Sequence, residues 1–275
     1  MGTGGKCLRG RLVLGESEHL NISTAKSMKW ALACELLHNA TLIHDDIQDN
    51  DPIRRGQPSL WKKAGIAQAI NTGDYLIFRA FKLTAELEDF RLTKLLSEVS
   101  EQLVHGQSDE LSFLVKNSHS FCESYKKMAI DKTGSLFLLP IEGTYLLANK
   151  EMPIELKKAW LNLGLCYQII DDIRDYQGLK QQGQMQKDFE ERRINALVAY
   201  LSENSKYETI IDKYLSDNSN SESVMPIISA IEEENIIPKL EQITKELLND
   251  FRTQSSLQCQ EIIFSFIDQA TKKRK

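Results

Sequence analysis

The sequence predicts an all-α fold, a helical bundle within a single domain, and three observations carry that expectation. Apolar residues recur at the spacing of a helix face along most of the 275-residue chain. Strand signals are scarce: alternating Val/Ile/Thr runs bounded by turns are almost lacking, and neither Asn-Gly nor Asp-Gly occurs. Only six prolines and fourteen glycines interrupt the pattern, so long helices can run unbroken. The length suits one large domain, taken here as residues 1–275, with a core sizeable enough to need no disulfide staples.

The chain opens on Gly4-Gly5-Lys6-Cys7-Leu8-Arg9, two cations beside a flexible glycine-rich backbone. Exposed N–H groups there can meet phosphate, or the segment is simply a disordered N-terminus. A first long helix is expected over residues 23–49, with Ser23 or Thr24 as its cap. Leu32, Cys34, Leu36, Leu37, Ala40, Leu42 and Ile43 make it apolar on more than one side, as in a helix deep within a bundle. Pro52 disfavours helical geometry at Asp51 and ends it. Further helices are expected over 66–88, 91–117, 119–149, 154–177, 188–203, 205–215, 224–234, 239–252 and 255–272. Within 119–149, Gly134 or Pro140 is placed to kink the helix. The polar stretches 180–191 and 216–223 separate helices, the second as an exposed loop. No repeat of solenoid length is present.

Composition excludes several classes. Hydrophobic residues at 41% and charged residues at 27% are ordinary for a soluble globular chain. A net charge of −5 argues against a general nucleic-acid binder but leaves an anionic substrate open. Five cysteines without a C-x-x-C read as buried free thiols in a reduced compartment. No stretch is long enough for a membrane span and no signal peptide is visible, so a cytoplasmic location without membrane insertion is expected. The terminal Lys-Lys-Arg-Lys reads as a solvated end.

One motif appears twice. Asp45-Asp46-Ile47-Gln48-Asp49 and Asp171-Asp172-Ile173-Arg174-Asp175 are both D-D-x-x-D, and each follows a long apolar helical stretch. Residues four apart share a helix face, so Asp45 pairs with Asp49 and Asp171 with Asp175. Asp46 and Asp172 lie about 100° around and suit a supporting or bridging role. Like charges at this spacing repel, and near a helix C-terminus they also face the negative end of the dipole. A solvated acidic helix end explains one such cluster. Two with matching approaches favour a cation, and oxygen-only donors favour Mg²⁺ or Ca²⁺ over zinc. Mg²⁺ commonly shares its remaining positions with water and substrate phosphate.

Cations stand nearby in sequence. Arg54-Arg55 closely follows the first cluster, and paired forked donors suit phosphate oxygens; surface pairing with Asp49 or Asp51 is the alternative, but the position after an acidic cluster suggests diphosphate binding. Lys132, beside Thr133 and Gly134, can reach a bound anion.

Together these residues resemble the trans-isoprenyl diphosphate synthases, or polyprenyl synthetases. The likeness runs from Gly4 to about Leu197 through GGKCLR at 4–9, LLHNATLIHDDIQDNDPIRRG at 36–56, GDYL at 73–76, GQSDEL at 106–111, DKTGSL at 131–136 and YQIIDDIRDY at 167–176. The resemblance implies an isoprenoid synthase-type bundle around a deep central cavity, as a homodimer. It implies three Mg²⁺ ions, with Asp45, Asp49 and Asp171 as direct ligands and Asp46, Asp172 and Asp175 in support. It assigns Arg54, Lys132 and Gln168 to the allylic diphosphate, Lys6, Arg9, His38 and Arg55 to isopentenyl diphosphate, and Thr133 and Arg193 to substrate binding. Ala40 and Thr41, just before the first cluster, are small and block no growing chain, which points past geranyl and farnesyl products toward geranylgeranyl.

Departures from the family pattern are visible as well. Family members carry one or two helices before the Gly-Gly-Lys motif, where this sequence has Met1, Gly2 and Thr3. Cys7 and Gly10 replace the usual Arg and Pro. Gln184 stands where a diphosphate-contacting lysine is usual, Lys187 is a substitute, Arg193 keeps the charge of the second basic position, and Arg174 is unusual inside the second cluster. These changes keep a non-catalytic subunit of a heteromeric synthase as the alternative. A terpene cyclase is disfavoured by the intact second aspartate cluster, and a metal phosphohydrolase leaves that cluster and the arginines unexplained.

Overall fold

A computed structural model describes residues 7–112, 120–179, 189, 195–216 and 224–271. The described residues are helical apart from one short hairpin. They run α1 (Leu8–His19), α2 (Thr24–Gln48), β1 (Ile53–Arg54), β2 (Gln57–Pro58), α3 (Leu60–Ala64), α4 (Ile66–Ala85), α5 (Phe90–Ser112) and α6 (Phe121–Ala129). A π-helical turn (Ile130–Gly134) joins α6 to α7 (Ser135–Leu147). Then come α8 (Ile154–Tyr176), α9 (Ala196–Leu201), a 3₁₀ turn at Ser205–Tyr207, α10 (Glu208–Ser216), α11 (Val224–Glu233), α12 (Ile236–Gln254) and α13 (Leu257–Thr271).

The helices expected over 23–49, 66–88, 119–149, 154–177, 205–215, 224–234, 239–252 and 255–272 appear within a few residues of those ends. Of 188–203 the described helix is the short α9, and the end of 91–117 and most of the stretches 180–191 and 216–223 lie outside the described residues. Three elements were not expected. Leu8 and Arg9 belong to α1, where a flexible segment was read. Gly10 and Gly15 lower the intrinsic helix propensity there, but each is packed. Gly10 N–H donates to Glu35 Oε1 at 2.9 Å, and a Cβ on Gly15 would sit 3.4 Å from Ile262. The hairpin Ile53–Pro58 pairs Ile53 with Pro58 and Arg54 with Gln57. Its two-residue turn, Arg55 and Gly56, has φ of 54° and 75°, the positive pair of a type I′ turn. The short α3 follows the hairpin directly. The predicted break in 119–149 falls at Gly134, as a π turn rather than a bend at Pro140.

The chain separates into two compact units. The first comprises Met1–Glu98, Leu138–Pro153 and Ser256–Phe266. At its centre α2 packs against α1 and α4. Trp30 is fully buried, and its indole N–H donates to the Pro140 carbonyl at 3.0 Å. A Cβ on Gly143 would lie 2.1 Å from the Trp30 ring, so glycine alone lets the indole sit there.

The second unit comprises Val99–Phe137, Ile154–Ser255 and Ile267–Lys275. Its core includes Phe121, Tyr125, Ile169, Phe189, Leu197, Tyr214 and Ile227. Trp160 on α8 meets Phe251 on α12 edge to face, centroids 4.9 Å apart. The π turn crosses α8 at two facing glycines. A Cβ on Gly164 would fall 2.2 Å from Gly134 Cα, and one on Gly134 would fall 2.8 Å from the Leu161 carbonyl.

Both helices that carry the acidic clusters end alike. After α2, Asn50 is left-handed (φ 52°), Asp51 N–H bonds the Asp46 carbonyl and Asn50 N–H the Ile47 carbonyl. After α8, Gly178 is left-handed (φ 67°), Leu179 N–H bonds the Arg174 carbonyl and Gly178 N–H the Asp175 carbonyl. These are Schellman stops, and each places its five-residue acidic motif in the last helical turns.

Gly164→Ala drives a methyl into the Gly134 backbone. The expected outcome is destabilisation of about 3 kcal/mol, read as a lower urea midpoint at unchanged m-value.

Candidate active site

In the first unit the site is built at the end of α2. Asp45 and Asp49 are half-buried and share a face, while Asp46 is turned inward and 4% exposed. The tight hairpin turns Arg54 back onto it. Arg54 Nε donates to Asp46 Oδ1 at 2.6 Å and a second guanidinium nitrogen reaches the same oxygen. Burial pushes the Asp46 carboxyl up, and Arg54 opposes it. Burial alone would lower the Arg54 guanidinium, and Asp46 reverses this and holds it up. Arg54 is thus paired with Asp46. Arg55, at the turn, is exposed.

His38 on α2 feels the charge of three arginines. Burial first, then Arg9, Arg55 and Arg54 in that order, push its imidazole well below the ordinary value of 6.5. Its Nδ1 is shielded from water and has no hydrogen-bond partner. Arg9 is itself buried. The combined positive charge of these arginines favours an anion nearby. Just along α2, Ala40 is fully buried, and Thr41 is half-buried with its hydroxyl on the His38 carbonyl at 2.8 Å. His44 lies 3.5 Å from Asp74, and a Cβ on Gly73 would come within 2.2 Å of His44 Nε2, which explains the glycine of the Gly73-Asp74 pair.

In the second unit the π turn presents Lys132 and Thr133. Lys132 is ion-paired with Glu110 of α5, and Gly106 one turn earlier lets α5 approach the Lys132 backbone. The Thr133 hydroxyl donates to Gln168 Oε1 at 3.2 Å, and Gln168 Nε2 donates to Asp172 Oδ1 at 3.0 Å. Asp172 is 3% exposed. Its Oδ2 accepts the Tyr125 hydroxyl and the Ala196 N–H, both at 2.8 Å. Asp172 is therefore a hub joining α6, α8 and α9. Asp171 is half-buried, and Asp175 is buried.

The sequence singled out neither Glu110 nor Tyr125. Glu110 lies in the 106–111 motif, which was the available signal; Tyr125 carries none, because only packing brings it to Asp172. Lys6, Gln184, Lys187 and Arg193 lie outside the described residues.

The donor set fits Mg²⁺ in one particular way. Asp45, Asp49 and Asp171 offer oxygen only, and each is half-buried rather than enclosed. Among the described residues no three His, Cys, Asp or Glu side chains converge as a ready-made metal cage. Mg²⁺ suits such sparse carboxylates because substrate phosphate and water complete its shell.

Residues 1–231 match the family model described as Polyprenyl synthetase. A geranylgeranyl diphosphate synthase of Saccharolobus solfataricus is 35% identical over 180 residues, covering 62% of this chain and 54% of that protein. A chloroplastic solanesyl-diphosphate synthase 2 of Oryza sativa is 29% identical over 256 residues, covering 89% of this chain and 62% of its own. The chain thus spans a little over half the length of these curated relatives. The solved geranylgeranyl pyrophosphate synthetase of Pyrococcus horikoshii superposes with a TM-score of 0.78 at 26% identity, over 98% of this chain and 87% of that one.

Because His38 is held neutral in the fold, the unfolded chain binds more protons as pH falls through about 6.5. Its contribution to stability is complete above that value and is lost progressively below it. His38→Gln should flatten the stability profile between about pH 7 and 5, measured by urea unfolding at each pH.

Proposed function

This chain belongs to the polyprenyl synthetase family, and on that footing we propose that it joins isopentenyl diphosphate head to tail to an allylic diphosphate. The carbon–oxygen bond of the allylic diphosphate breaks and diphosphate leaves with the electron pair. The alkene of isopentenyl diphosphate attacks the resulting allylic cation, and loss of one proton to the released diphosphate restores a double bond.

The observation that carries this reading is in the first unit. Half-buried Asp45 and Asp49 share the end of α2 with the Asp46–Arg54 pair, and burial, with the charges of Arg9, Arg55 and Arg54, lowers the His38 imidazole on the same helix. Carboxylates for a divalent cation beside guanidiniums for phosphate describe a metal–diphosphate ligand. Three Mg²⁺ ions are proposed, held by Asp45, Asp49 and Asp171 together with substrate oxygens. Bound Mg²⁺ supplies the Lewis acidity that stabilises charge on the departing diphosphate.

The other roles follow residue by residue. Arg54, Lys132, Thr133 and Gln168 contact the allylic diphosphate; Lys6, Arg9, His38, Arg55 and Arg193 complete the binding groups. Asp46 positions Arg54, and Asp172 positions Gln168, in keeping with their bonds. The proposed product is geranylgeranyl diphosphate, supported by small Ala40 and Thr41; the relatives' names run from geranylgeranyl to solanesyl. No described helix is long and apolar enough to cross a membrane, and a cytoplasmic location is proposed.

A homodimer is proposed through α4, one side of which exposes Ile70, Phe78 and Tyr75, Phe78 at 70%. An apolar helix face of this breadth suits a second copy of the same surface. Phe78→Glu should halve the mass seen by light scattering; an unchanged dimer would place the interface elsewhere.

The reaction is tested by incubation with Mg²⁺, labelled isopentenyl diphosphate and a panel of allylic diphosphates, with product sizing. Elongated product is expected, falling at least about a thousandfold in Asp45→Ala and in Asp171→Ala. Diphosphate binding with no product from any primer would favour the non-catalytic subunit.

A further inference from the structure

The start of α13 belongs to the first unit, yet neither acidic cluster nor the arginine group accounts for it. What it touches is a buried carboxylate. Glu16 on α1 is 3% exposed. Its Oε2 accepts the Ser256 hydroxyl at 2.8 Å and faces the Cys259 thiol at 3.3 Å. Burial, and then Glu16 itself, push the Cys259 thiol well up, so it remains a donor. Ser256 directly precedes the first residue of α13, and its hydroxyl also accepts the Cys259 N–H at 3.4 Å. The carboxylate therefore sits at the positive end of the α13 dipole, where an anion is favoured. The neighbouring turn adds Gln258 Nε2 donating to Glu18 at 3.1 Å, and Ile262 lies against Gly15.

Leaving a buried carboxylate without donors costs more than one hydrogen bond is worth. The last two turns of α1 are thus bound to α13, while its first turn is bound to α2 through Gly10 and Glu35. That first turn carries buried Arg9. A 12-residue helix fixed at both ends cannot slide or tilt without moving Arg9.

We propose that Glu16 is a positioning residue for substrate: clamped by Ser256 and Cys259 at the start of α13, it sets the pose of α1 and through it the place of Arg9, making the C-terminal helix part of the isopentenyl diphosphate site. This rests on the assignment of Arg9 given above. Small misplacement of a binding group suffices to weaken a substrate contact.

The test uses the full chain with Glu16→Met, Ser256→Ala and the acceptor-preserving Glu16→Gln. Glu16→Met and Ser256→Ala should each raise KM for isopentenyl diphosphate about three- to tenfold. KM for the allylic diphosphate should stay within about twofold, and Glu16→Gln should return most of the loss. A clamp that only stabilises the fold would lower Tm and active fraction and leave both KM values unchanged, which overturns the proposal. Calorimetric titration with isopentenyl diphosphate accompanies the kinetics. An inactive wild type would fail the prenyltransferase reading, and an unchanged Kd in Glu16→Met would then overturn the clamp separately. Ser256→Ala keeps the test decisive if Glu16→Met does not fold.

Discussion

Charge repulsion at two helix ends is the constraint around which the rest is arranged. Each D-D-x-x-D motif puts carboxylates one turn apart where the helix dipole is negative, which is unfavourable on both counts. In each cluster the second aspartate is buried and committed to protein partners: Asp46 to Arg54, Asp172 to Tyr125, Gln168 and the Ala196 N–H. Asp45, Asp49 and Asp171 are left half-buried. The protein thus engages the two inner carboxylates with its own donors.

Close backbone approach does the positioning. Gly134 against Gly164 brings the π turn onto α8, and Gly106 brings α5 onto the same turn. Lys132, Thr133, Gln168 and Glu110 are therefore grouped by absent side chains as much as by present ones. Gly73 does the equivalent for His44 beside the first cluster.

The sequence displayed the parts that depend on local pattern. The all-α class, α2 and α8 follow from apolar periodicity, and Pro52 marks the end of the first acidic helix. The aspartates and Arg54 stand out by type and spacing. Elements set by distant partners were hidden. The α1 helix depends on Glu35 and Ile262 accepting its glycines. The hairpin has Arg-Gly rather than Asn-Gly at its turn, so the usual signal is missing. Tyr125 and Glu110 acquire meaning only once helices far apart in sequence are packed together.

The π turn has a geometric consequence of its own. Tyr125 and Thr133 are eight residues apart, and on a uniform α-helix they would point about 80° away from each other. Both nevertheless reach side chains of α8, Asp172 and Gln168 respectively. The wider turn at Ile130–Gly134 winds the backbone more slowly and cancels much of that offset. It acts as a phase corrector, one surplus residue that brings two stretches of a single helix into register with the same neighbour. A chain lacking that residue would form an easier α-helix and lose the shared face.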